Sequence, residues 1–149
     1  MTLPDPDFWD LFEGIPLCDA DALAARLARR PIEGIAGFER SLHALLRSSN
    51  TRELLAACVV VHSGGRSGES WLHFRLWLIG QGRETFTGVL HDPDAVAGIP
   101  DVIAFAAGRR PYPHYPELLT VAERAYDLMA ARTPAEPAAL PNLRELFSR

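Results

Sequence analysis

The chain predicts an all-α fold, a single compact domain of about seven helices around a central apolar helix at residues 69–80, with a short C-terminal amphipathic tail. Three observations carry this expectation. Apolar residues recur at three- and four-residue steps, as in Ile35, Phe38, Leu42 and Leu45, which marks a core-facing helical stripe. Only Val59-Val60-Val61 has strand composition; it continues the helix-favouring run Glu53–Cys58 without a breaker, and no partner strand is visible elsewhere. The segment Trp71–Ile79 holds seven apolar residues in nine, interrupted only by His73 and Arg75.

The elements follow in order. Asp5-Pro6-Asp7 opens a short helix around Phe8–Phe12, which Gly14 ends. Asp19 or Asp21 caps a second helix over 22–30, with Leu23 and Leu27 on one face, and Pro31 starts the third. Asn50 and Glu53 have capping-box spacing for a fourth helix from Thr51. The glycine-rich turn His62–Gly68, with Ser67 as N-cap, leads into the apolar helix, and Gly80–Gly82 interrupts it. A short helix spans 83–90, and Asp92-Pro93-Asp94 restarts the chain into Ala95–Ala97. Residues 98–116 read as irregular, stiffened by prolines. Pro116 and Glu117 open a long last helix to about Arg132, its inner side covered by Leu118, Val121, Ala122, Ala125, Leu128 and Met129. Residues 1–132 therefore form the helical domain, and 133–149 a Pro/Ala linker and tail, where Asn142 caps a turn carrying Leu143, Leu146 and Phe147.

Composition excludes several classes. A chain of 149 residues buries roughly two thirds of its unfolded surface, enough for a sizeable core. The net charge of −4 argues against a general nucleic-acid binder. All 15 basic residues are arginine, which with the heavy use of alanine suggests codon bias in a GC-rich, actinobacterial type of genome. Cys18 and Cys58 lie far apart and form neither a disulfide framework nor a metal spacing, and Cys58 sits in an apolar run. No secretory signal or membrane-spanning run is evident, so a cytoplasmic protein is expected.

The segment Phe74-Arg75-Leu76-Trp77-Leu78-Ile79-Gly80-Gln81-Gly82 resembles the bacterial family named domain of unknown function 4240. Phe8-Trp9, Leu55-Ala56-Ala57, Gly64-Gly65, Asp92-Pro93-Asp94, Glu117 and Ala125-Tyr126 fit the same family in order, so the likeness covers roughly residues 7 to 130. It implies a helical fold and brings no activity. Members of the family usually start the core helix with a Ser-Asp-Asp-like acidic pair; here Ser67-Gly68-Glu69 keeps one carboxylate.

Candidate chemistry centres on Arg75. At about 100° per residue it falls within the apolar arc of Trp71, Leu72, Leu78 and Ile79, whereas His73 lies on the far side. A guanidinium does not shed its charge, so burial obliges it to find a carboxylate, carbonyls or a bound anion. Glu117, at the edge of the last helix's apolar face, is the expected ion-pair partner; removing Arg75 alone is expected to cost about 3–5 kcal/mol whether its partner is this carboxylate or a ligand. The alternative is an anionic ligand held by Arg75 with Trp71 or Trp77 stacked nearby.

Glu69 and His73 share a helix face at four-residue spacing, and with His62 they invite an acid–base or metal reading. His-x-x-x-His spacing is absent, so no metal or cofactor is expected. His43, His91 and His114 are scattered and read as surface residues. Gly64–Gly68 before a helix favours anions, but the phosphate-loop motif and its lysine are missing. Arg109-Arg110 with Tyr112 and Tyr115 is thin support for single-stranded nucleic acid on an acidic chain. No nucleophile signature stands out, and the catalytic residues stay unknown. Two readings follow. One is a regulatory, adaptor or immunity-type protein acting on a protein partner or a second copy of itself. The other is an enzyme or ligand-binding protein with a pocket of Arg75, Trp77, Glu117, Glu69, His73 and Trp71 for an anionic metabolite.

Overall fold

A computed structural model of the chain describes residues 6–62, 68–110, 112–132 and 142–147. The fold is all-α, and among the described residues there is no strand. The helices are α1 (Pro6–Asp10), α2 (Ala20–Leu27), α3 (Glu33–Ser49), α4 (Arg52–His62), α5 (Gly68–Gly80), α6 (Arg83–His91), α7 (Pro100–Ala106), α8 (Val121–Ala131) and α9 (Leu143–Phe147). Two 3₁₀ helices, Pro93–Gly98 and Pro116–Thr120, join them. Contacts divide the chain into two units, Met1–Ala44 with Glu117–Arg149, and Leu45–Pro116.

In the first unit, Asp19 caps α2 by accepting from the Ala22 N–H at 3.0 Å, and Leu23, Ala24 and Leu27 face inward. They pack on α8 through Val121, Ala122 and Ala125, short side chains that let the two helices approach closely. Leu128 was expected on that inner face but is 44% exposed. It lies beyond Ala125, the last buried residue of α8, near the C-terminal end of that helix. The α1 segment contributes Phe8, stacked on Phe38 of α3 with ring centroids 5.1 Å apart. Gly14, at φ 76, takes the left-handed conformation that ends this first turn of structure.

The second unit begins within α3, at Leu45. The Val59–Val61 run is helical, inside α4. Its cap is Thr51, whose Oγ1 accepts from the Leu54 N–H at 3.1 Å; Asn50, expected in that role, is engaged elsewhere. Helix α4 packs on the Pro93–Gly98 turn and on α7, α6 packs on the same turn, and α5 meets α6 across Gly82 at φ 103. The stretch 98–116 is not wholly irregular, because α7 forms there with Pro100 in its first turn and Val102 buried. After it, Tyr112–Tyr115 runs extended along α5. The Tyr112 hydroxyl donates to the Ser70 carbonyl at 2.9 Å, and the Tyr115 N–H donates to the His73 carbonyl at 3.2 Å.

The linker expected from Thr133 lies outside the described residues, as does the turn at 63–67 with its Ser67 cap. The tail turn forms as α9, with the Glu145 N–H donating to Asn142 Oδ1 at 2.8 Å. No helix among the described residues is long and apolar enough to cross a membrane.

Candidate functional site

From Phe74 to Ile79 every residue of α5 is buried, so the helix has no solvated side over this stretch. Arg75 is carried into that environment with 9% of its surface exposed, and desolvation lowers its pKa from the ordinary arginine value. No carboxylate lies within ion-pair distance of it among the described residues. Glu117 is exposed on the 3₁₀ turn, and its carbonyl accepts from the Thr120 hydroxyl at 2.8 Å. The expected ion pair of Arg75 with Glu117, a residue of the first unit, is not found among the described residues. An amphipathic-helix projection aims Glu117 inward only if the helix starts at Pro116, and it does not.

Other groups of the second unit meet the guanidinium. Nη1 donates to the Leu46 carbonyl at 2.6 Å. Leu46 lies in the last turn of α3, where carbonyls lack intrahelical partners and carry the negative end of the helix dipole. The Ser49 hydroxyl donates to the same carbonyl at 3.1 Å. One face of the guanidinium is covered by the Trp71 ring, with Cζ 5.1 Å from its centroid, within cation–π range. Trp71 is held in place by its indole N–H, which donates to Asn50 Oδ1 at 3.1 Å.

These contacts use one nitrogen and one face. Nε is buried and has no hydrogen-bond partner among the described residues, and neither has Gln81 Nε2. Leaving a buried donor unpaired costs about 1–3 kcal/mol, so such a group in a native protein calls for a reason. Both orphaned donors fall inside the Phe74–Gly82 stretch.

The other expected site residues are spread over different environments. Trp77 is 4% exposed and packs on Phe74 with the rings tilted by 36° and their centroids 5.5 Å apart, as part of the core. Glu69 and His73 approach to 3.9 Å, but with the Glu69 side chain 78% exposed the pair is largely solvated. The side chain of His62 lies outside the described residues. No group of three His, Cys, Asp or Glu placed to hold a metal occurs among the described residues. Tyr112 and Tyr115 are engaged with α5, so they form no stacking platform beside Arg109 and Arg110.

A second feature belongs to the first unit. A groove of about 390 Å³ is lined by Phe8, Gly34, Gly37 and Phe38, with Asp7, Glu33, Arg30 and Arg40 also at its walls. Gly34 and Gly37 add no side chain to its lining, and the Phe8 and Phe38 rings at its floor are 1% and 2% exposed. The sequence signal was there, two glycines three apart on the face that also carries Phe38, but the stripe Ile35–Leu45 reads as uninterrupted core.

These features define the class: an all-α protein with a buried arginine helix in one unit and an aromatic-floored groove in the other. The chain belongs to the family described as protein of unknown function (DUF4240), whose model matches residues 5–128. No curated protein and no solved structure matches it.

Proposed function

We propose that this is a binding protein of the regulatory, adaptor or immunity type, working through contact with another protein. The observation that supports this reading is the groove of the first unit. It combines an aromatic floor, Phe8 on Phe38, with side chains of both charges at its walls. Protein interfaces share that anatomy, an apolar centre where aromatic anchors concentrate affinity and a polar rim that selects the partner. A segment suited to it presents an apolar side chain flanked by charges of both signs.

The test is a charge swap, Arg30→Glu with Glu33→Arg, which keeps net charge and leaves the floor intact. Tagged full-length protein, expressed in its own host, is cross-linked and its captured proteins are compared with those of the swapped variant, after melting curves show equal stability. A partner captured by the parent and lost from the variant supports the reading. Capture of the same proteins by both, or of none by either, overturns it. The same comparison with a chain ending at Arg132 asks whether α9 takes part.

A further inference from the structure

We infer that the Nε–Nη2 edge of Arg75 is a binding site for an oxyanion, a carboxylate or phosphate group that presents two oxygens to it. Of the three guanidinium nitrogens only Nη1 is hydrogen-bonded among the described residues, and it is spent on the Leu46 carbonyl. Nε is buried without a partner among the described residues. The N–H bonds of Nε and Nη2 run parallel along one side of the planar group, at the spacing of the two oxygens of a carboxylate or of a phosphate face. That edge is unpaired among the described residues and its Nε is sealed from solvent, while the opposite corner is anchored.

Two further features favour a ligand there over a merely structural arginine. The charge is nine-tenths buried with no carboxylate in ion-pair reach among the described residues, so the site carries an unneutralised positive charge. Trp71 covers one face and is itself fixed by Asn50, so the guanidinium is held in one orientation before any ligand arrives. This inference is independent of the groove, which lies in the other unit.

The experiment uses the full chain in sodium chloride, with phosphate, sulfate or acetate substituted at constant ionic strength. The melting temperature is expected to rise by roughly 3–6 °C at an anion concentration about ten times its Kd, and to stay flat in chloride. A response to phosphate and sulfate alone assigns a tetrahedral anion, and a response to acetate alone assigns a carboxylate; either supports the site. Arg75→Lys keeps the charge and loses the two-nitrogen edge, and its response is expected to disappear. No rise above chloride, or an equal rise in Arg75→Lys, overturns the inference. Should that variant not fold, the unaltered protein still decides. The Arg75 Nε–H resonance, identified by its proximity to the Trp71 ring, shifts saturably on titration if the site exists and stays put if it does not. The Arg30/Glu33 swap is expected to leave all of these responses unchanged.

Discussion

Arginines in the two units meet the same kind of partner under different conditions. In the first unit, Arg26 donates to the Leu11 carbonyl at 3.1 Å and also to that of Glu13, and Arg132 donates to the Ala28 carbonyl. Each ties a chain segment to a neighbouring one while staying partly in water. In the second unit, Arg75 also donates to a carbonyl, that of Leu46, but from within a stretch of α5 buried on all sides. Arg26 and Arg132 keep surface in solvent, where water can complete the shell that the carbonyls begin. For Arg75 it does not, and a nitrogen is left over. Burial, and neither residue type nor partner type, separates a stitching arginine from one with capacity to spare.

The largest test of that comparison removes the burial. A Cβ added at Gly80 would come 2.9 Å from Cδ2 of Tyr115, a ring that is 2% exposed and closes the extended strap over α5. Gly80→Ala must displace that ring, and a loss of about 2–3 kcal/mol is expected in denaturant unfolding. It should come with faster exchange of the Tyr115 amide, which donates to the His73 carbonyl. An alanine variant as stable as the parent would mean that the strap is not what keeps α5 dry.

Next in size is Arg26→Met, which unties the loop at Leu11 and Glu13 from α2. Hydrogen bonds from a charged donor count for more than neutral ones, but partial exposure discounts them, so about 1–2 kcal/mol is expected. Arg75→Met, read in the same assay in chloride, is expected to change stability by less than about 1 kcal/mol. The 3–5 kcal/mol expected for a broken buried pair arises when the surviving partner is a stranded charge. Here the survivor is the Leu46 carbonyl, which keeps its bond from Ser49, and a methionine fills much of the volume. A loss above 3 kcal/mol for Arg75→Met would show a purely structural cation and end the contrast.

The sequence carried the helices well because their signals are local. Asp19 beside Ala22, the periodic stripe from Ile35 to Leu45 and the unbroken run into Val61 each specify helix within a few residues. Helix α7 was missed because its five interior residues are too short for a period, although Pro100-Asp101 is a usable start signal. At the site, helical projection alone put Arg75 among apolar neighbours, and burial there is what the fold shows. Its partner was out of reach of that argument. Leu46 binds through a backbone carbonyl, which any residue possesses, at a helix end 29 positions away. No side-chain pattern encodes such a contact. Glu117 attracted attention because carboxylates are visible in a sequence and carbonyls are not.

The smallest effect sharpens the contrast from the exposed end. Arg124 donates to Asp21 at 2.7 Å across the α2–α8 contact. The carboxylate is 90% exposed, however, and the guanidinium 40%. Water competes for both groups, ordering two long side chains costs entropy, and salt screens what attraction remains. Arg124→Ala is therefore expected to cost no more than about 0.5 kcal/mol, falling further in 0.5 M sodium chloride. A short distance to a full negative charge then matters less than where the charge sits. Should Arg124→Ala instead cost 2 kcal/mol at any salt concentration, pairing and not burial would rank the arginines of this protein, and the reasoning that singles out Arg75 would lose its basis.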